Sequence, residues 1–335
     1  MPTSTQTTAT GPAAGAPGPA LGPDVKGAKP KAVVRPGDRI FSAATLIAGI
    51  LILAILAGVA VFLLAQSKDT IDAQITDPSA ITGGNGFLAY VWPLVIGTLI
   101  SSAIALVVAT PFALGIALFT THMAPRRLAP FLGYVIDLLA AIPSVVYGLW
   151  GIALAGNLTD FYVWLAKWFG WIPIFAPDAS GAVSNTGRTL LTAALVLSIM
   201  ILPIITSLTR EIFLQTPKLQ EEAALALGAT RWEMIRMSVL PFGKSGIASA
   251  TMLGLGRALG ETMAVAMILS PGLLTASLIV SGNQTIASEI AQNFPEAAGL
   301  RLSELITIGL VLFVITLLVN MAARAIVAKT SVKGS

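Results

Sequence analysis

Thr216-Pro-Lys-Leu-Gln-Glu-Glu-Ala-Ala-Leu-Ala-Leu-Gly228, continued by Ala229-Thr-Arg-Trp-Glu-Met-Ile-Arg-Met-Ser-Val-Leu-Pro241, forms the centre of a charged island, residues 210–244, in an otherwise mostly apolar chain. Its first half reads as a helix: Thr216 is placed to cap it, Pro217 suits its first turn and Gly228 ends it. Its second half opens with Thr230-x-x-Glu233, a capping box, and stops at Pro241. The stretch therefore predicts helix, glycine turn, helix, held between two membrane spans.

Composition supports the membrane setting. The chain has 335 residues, of which 11% are charged, against about 25% in an average soluble domain. Its mean hydropathy is +0.84. The expected class is an all-α integral membrane protein facing a lipid bilayer. With 0 Cys and 1 His, disulfides, thiol chemistry and zinc sites are excluded. His122 reads as a solvated loop residue. Neither a nucleophile–base pair nor a metal cluster is legible, so no enzyme, metal or cofactor is expected. Nucleic acid is not an expected partner. Gly243-Lys244-Ser245 echoes the end of a phosphate-binding loop, but the glycine that motif needs five residues earlier is Ser238.

Outward from the island, six spans are expected at about 40–65, 91–121, 131–156, 189–209, 245–270 and 305–323, each near the roughly 20 residues that cross a bilayer core. Pro93 and Pro111 are expected to kink or start the second span. Residues 1–39, rich in Thr, Ala, Gly and Pro, read as a disordered basic tail, with the membrane domain over 40–328. The apolar run Pro271–Gly282 is too short to span and reads as re-entrant or interfacial. Placing the tail inside puts Lys26, Lys29, Lys31, Arg35 and Arg39 there, with Arg126 and Arg127, five basic residues of the island, and Arg324, Lys329 and Lys333. Only Lys68, Lys167, Arg188 and Arg301 fall outside. That imbalance sets both termini and the 210–244 loop in the cytoplasm. Trp92, Trp150, Trp164, Trp168 and Trp171 fall at the outer boundary or beyond it, where indoles prefer to sit. Residues 161–175 read as a helix or turn on the outer surface.

The fifth span carries the chemistry. Gly246, Ala250, Gly254, Ala258 and Thr262 recur every four residues, a small-residue stripe for close helix packing. Gly256-x-x-x-Gly260 lies on a nearby face. Arg257 and Glu261 stand one helical turn apart beside the stripe. A charge at mid-bilayer costs roughly 2.5–3.5 kcal/mol on insertion scales. The pair reads either as an i,i+4 ion pair that orders the bundle or as a functional pair on an anion path. Asp137, the one acid of the third span, reads as a structural acid paired with Arg126, Arg127 or a partner chain, or as a gate residue.

Glu222, Ala223, Ala224, Gly228, Leu240 and Pro241 fall in register with the coupling-loop pattern of ABC importer permeases: Glu-Ala-Ala, three residues, Gly, nine residues, Ile-x-Leu-Pro. Ser238 stands where that pattern has Ile, and Ile235 replaces some of its contact. Leu255-Gly-Arg257-Ala-Leu-Gly-Glu261-Thr-Met-Ala-Val265 resembles a signature of the PstC family of phosphate permeases. Asp137-Leu-Leu-Ala-Ala-Ile-Pro143-Ser144-Val-Val-Tyr147-Gly148-Leu-Trp150-Gly151 resembles a second one. The resemblance covers about residues 91–323. It implies a type I ABC importer permease of the bacterial cell membrane, with Arg257 and Glu261 on the path of inorganic phosphate and the 216–241 loop docked on an ATPase. It also implies a PstA-like partner permease, two copies of a PstB-like ATPase and an extracytoplasmic PstS-like phosphate-binding protein. Chemistry agrees: an arginine fork grips phosphate, and a nearby carboxylate reclaims the guanidinium for release. The alternatives are a permease for sulfate or molybdate, or a secondary anion transporter, for which no internal repeat is visible.

Overall fold

A computed structural model describes residues 36–271, 275 and 277–331. Nearly all of the expected basic tail lies outside the described residues, as does part of the Pro271–Gly282 run. The chain divides into two units, Met1–Ile55 and Leu56–Ser335. The described part of the first unit is the start of helix α1 (Pro36–Gln66). Its Ile and Leu side chains are exposed all round, and the Thr45 hydroxyl is returned to the Phe41 carbonyl at 2.9 Å. A helix apolar on every side that closes its own polar groups suits lipid.

The second unit is helical throughout its regular structure. After α1 come α2 (Lys68–Thr76), α3 (Phe87–Leu118), α4 (Leu128–Ala140), α5 (Ser144–Phe169) and α6 (Leu190–Leu214). Then follow α7 (Lys218–Ala226), α8 (Arg231–Met234), α9 (Leu240–Gly260), α10 (Met263–Ile268), α11 (Ile286–Asn293) and α12 (Leu300–Ser331). Among the described residues, four helical stretches are long and apolar enough to cross a bilayer: Arg39–Thr76, Phe87–Met123, Leu190–Leu214 and Leu300–Ala325. A fifth exists if α4 and α5, bent by 88°, form one broken span. The six continuous spans expected are not observed, because the third and the fifth are each interrupted.

The break in the third span has a local cause. Pro143 lacks an N–H and biases Ile142 away from helix. The break falls at 141–143, and the Tyr147 hydroxyl reaches back across it to the Leu139 carbonyl at 3.0 Å. Beyond it α5 runs on to Phe169, so residues 161–169 of the expected outer helix or turn are helical and continuous with α5. Pro93 and Pro111, by contrast, lie inside α3 and neither starts nor ends it.

The core sits where α3, α6, α9 and α10 meet. On α3, Ser101, Ala105, Ala109, Ala113 and Ala117 recur every fourth residue and are essentially fully buried. This small-residue face admits α6 closely. The stripe on α9 packs against α6 as its spacing predicted. A Cβ at Gly254 would stand 2.7 Å from Ile205 Cδ1, and one at Gly246 would stand 2.6 Å from Ile212 Cδ1. Residues 277–285 form a buried plug between α10 and α11. Leu278, Ile279 and Val280 are inside, their backbone tied to Ile174, Ser184 and Leu191. The Asn283 amide bonds Ser277 O at 2.6 Å. This supports the re-entrant reading of the described part of that run.

Candidate functional site

Arg257 lies in the last turn of α9. Its side chain is exposed in the single chain, and among the described residues it belongs to none of the ion pairs. It stands within electrostatic reach of the Tyr147 hydroxyl on α5. The i,i+4 ion pair with Glu261, one of the two readings of these charges, does not form, because the helix ends first. Glu261 is the C-cap of α9 in an extended conformation, φ −69° and ψ 121°. Its carboxylate turns forward and accepts from the Ala264 N–H of α10 at 3.3 Å. Among the described residues, the Glu261 N–H closes no bond back to α9. The final carbonyls of α9 therefore lack the partners a continuing helix would supply. Only Gly260 O gains one, from the Thr262 hydroxyl at 3.1 Å. Gly256 and Gly260 have open space where a Cβ would stand, so the face carrying Arg257 is uncovered. An uncovered cation, free carbonyls and a carboxylate one break away make a polar patch on the uncovered face of α9.

The loop 215–241 is built largely as its sequence predicts. Gly228 has φ +87°. Its N–H bonds Leu225 O at 3.0 Å, and the Ala229 N–H bonds Ala224 O at 3.2 Å. This paired arrangement closes α7 and needs a left-handed residue at 228. Thr230 and Glu233 form the capping box of α8. The Thr230 N–H, and then its hydroxyl, hold the Glu233 carboxyl below its usual range. The box therefore stabilises α8 at neutral pH, and that contribution is lost as pH falls through the lowered value. Thr216 does not cap α7: Pro217 holds that position, and the Thr216 hydroxyl has no partner among the described residues. Pro241 does not end the second helix either. A π-turn over Ile235–Val239 joins α8 to α9, and Pro241 sits in the first turn of α9. The wide turn spares the proline ring its clash with the preceding turn of helix.

The six residues in register with the loop pattern divide by burial. Ala224 is buried with Met234, Ile235 and Val239 against Ala117, Leu118 and Phe213, and Leu240 packs on that cluster. Glu222, Ala223, Gly228 and Pro241 are exposed, beside the bare side chains of Leu219, Leu227, Trp232 and Met237. Ile235 is fully buried, which supports its substitution for the missing Ile at 238.

Asp137 is exposed on α4 and accepts from the Ser207 hydroxyl of α6 at 2.7 Å. It does not pair with Arg126 or Arg127 among the described residues. Its neighbouring turn, at Gly133, lies under the Arg210 guanidinium. His122 is not a solvated loop residue. Its side chain is 9% exposed and lies 3.4 Å from Glu221 of α7, with its other ring nitrogen 2.6 Å from the Thr121 hydroxyl. Sequence reasoning also passed over Arg301, which bonds Glu289 at 2.6 Å and Glu304 at 3.0 Å. These two carboxylates are almost fully buried, and the spacing Arg301-x-x-Glu304 was the available signal.

Residues 109–332 match the family described as binding-protein-dependent transport system inner membrane component. The chain is 48% identical over 304 residues to phosphate transport system permease protein PstC 2 of Mycobacterium tuberculosis, covering 87% of this chain and 92% of that one. It is 44% identical over 276 residues to the PstC protein of Mycobacterium leprae, covering 80% and 86%. A solved bacterial alginate ABC transporter, in complex with an alginate pentasaccharide-bound periplasmic protein, superposes with TM-score 0.57 at 16% identity. That match covers 86% of this chain and 93% of the solved one, and it shows the fold alone.

Proposed function

Because this chain belongs to the binding-protein-dependent transport system inner membrane component family, and is the PstC-type permease subunit of a phosphate ABC importer, we propose that its phosphate path runs past Arg257 and Glu261. The subunit is not the ATPase; hydrolysis lies in a separate subunit. The observation that carries the reading is the uncovered guanidinium of Arg257 at the open end of α9. Irregular backbone at membrane depth persists only where protein buries it or water lines it. An aqueous anion path along this face meets both the free carbonyls and the free cation.

Arg257 grips phosphate through its fork, and Glu261, held on α10, sets how readily the anion is released. One guanidinium is little for a doubly charged anion, so the uncovered face of α9 meets a second, PstA-like permease that supplies further basic groups. α9 with α10 makes the fifth of six crossings. The exposed residues of 216–241 dock on two PstB-like ATPases in the cytoplasm. A PstS-like phosphate-binding protein delivers from the far side. Asp137 with Ser207 ties α4 to α6 as a structural acid, or closes the path as a gate.

The test is uptake of radiolabelled phosphate at matched membrane levels. Arg257→Ala, and Arg257→Ala with Glu261→Ala, should both lose uptake while still assembling, and Arg257→Lys should retain only part. Near-normal uptake in the double variant returns the two charges to a packing role. Competition by sulfate or molybdate as strong as by phosphate overturns the choice of anion.

A further inference from the structure

α10 has six residues, too few to hold its own helical form. Both of its ends are held from elsewhere. At its start is the Glu261 carboxylate. At its finish, carbonyls that would otherwise lack donors are met by two side chains distant in sequence. Arg188 Nε donates to Ile268 O at 3.0 Å, and its Nη2 donates to Met267 O at 2.9 Å and Leu269 O at 3.2 Å. Gln292 Nε2 donates to Ala266 O at 2.8 Å, and its own Oε1 accepts from Gln284. Among the described residues Arg188 forms no ion pair with a carboxylate. Its counter-charge is the negative end of α10 itself.

The flank of α10 packs closely on α5. Gly148 of α5 lies against the Ala264 backbone, and Gly151 lies against Ile268. Both glycines let α10 approach α5 closely. Such packing is non-directional, whereas three bonds from one rigid fork are directional and set the depth of the helix. Arg188 is itself anchored, because Gly187 packs against the Ala155 carbonyl and Thr189 caps α6 through its bond from Thr192 N.

We propose that Arg188 is a positioning residue for phosphate passage: it fixes the depth of α10, and through α10 the gap between Glu261 and Arg257. The proposal rests on the reading of those two residues as the phosphate site. Arg188 does not touch phosphate in this account. Loss of its fork lets α10 shift along α5, so the Glu261 carboxylate no longer meets Arg257 at the distance that releases the anion.

The experiment is a double-variant cycle in the assembled transporter, reading apparent KM and maximal phosphate uptake per assembled complex. Arg188→Gln should lower maximal uptake by about tenfold, the scale of hydrogen bonds from a charged donor, with assembly retained. Arg188→Lys should recover part of it. In a Glu261→Gln background, Arg188→Gln should add little further loss, because the group it positions has already lost its charge. A merely structural role would lower the amount of assembled complex equally in both backgrounds and leave uptake per complex unchanged. That result, or fully additive losses, overturns the proposal. If Arg257→Ala and Glu261→Gln transport normally, the underlying reading of the site has failed instead. Should Arg188→Gln fail to assemble, Gln292→Leu, which removes the neighbouring donor, must show the same non-additivity with Glu261→Gln for the proposal to stand.

Discussion

At Gly187 the backbone has φ +66°, and an added Cβ would run into the Ala155 carbonyl oxygen. Left-handed strain in a non-glycine residue costs about 1–3 kcal/mol, and overpacking adds about 1–3 kcal/mol. Gly187→Ala is therefore expected to lower the detergent-solubilised subunit's Tm clearly, as followed by thermal unfolding. An unchanged Tm would mean that the α5–α6 approach has room for a methyl group. Gly228 is the opposite case, since it too needs positive φ but has nothing within 4 Å of its absent Cβ. Only conformational strain opposes substitution there. Asn tolerates the left-handed region far better than a β-branched residue. Gly228→Asn should keep most phosphate uptake, whereas Gly228→Val should lose it and uncouple ATP hydrolysis. Equal uptake by the two variants would remove the turn from the coupling role proposed for it.

Among the elements, those whose signals are local were legible. The end of α7 and the start of α8 follow from Gly228, Thr230 and Glu233, whose partners lie within a few residues. The packing face of α9 follows from a four-residue spacing of small side chains. What the sequence hid depends on distant donors. The break at Glu261 is stable because Arg188 and Gln292 hold the far end of α10, and neither residue is near it in sequence. His122 was misread for the same reason, its partner Glu221 being 99 residues away. The α4–α5 bend is different: Pro143 was in plain view, and helix continuity was assumed across it. Of the candidate site, Arg257 and Glu261 stand out in the sequence as the two charges of the fifth span, but their mutual geometry does not. An i,i+4 spacing implies a pair only if the helix lasts that long.

For the molecule as a whole, the proposed orientation puts Asp178–Gly181 and the α7–α8 turn on opposite sides of the membrane. Ser180 and Leu227 are both exposed, Leu227 at 90%, and the chain has no Cys of its own. Ser180→Cys should react with an impermeant thiol reagent in intact cells, and Leu227→Cys only after lysis. Labelling of position 227 in intact cells inverts the topology and with it the placement of the ATPase. The π-turn at Ile235–Val239 bears on this whole arrangement. It stores one residue of slack between the docking loop and the helix that carries Arg257. A residue deleted from an ordinary α-helix turns everything beyond it by about 100° and draws it in by about 1.5 Å. Deleting Ser249 within α9 should therefore put the loop and Arg257 out of phase and abolish uptake. Deleting Ser238 from the slack, with Pro241→Ala to remove the ring clash that α-helical register would impose, should leave the two in phase and uptake close to that of Pro241→Ala alone. That outcome would make the π-turn at Ile235–Val239 the place where the angle between the proposed docking loop and the proposed phosphate-path cation is set.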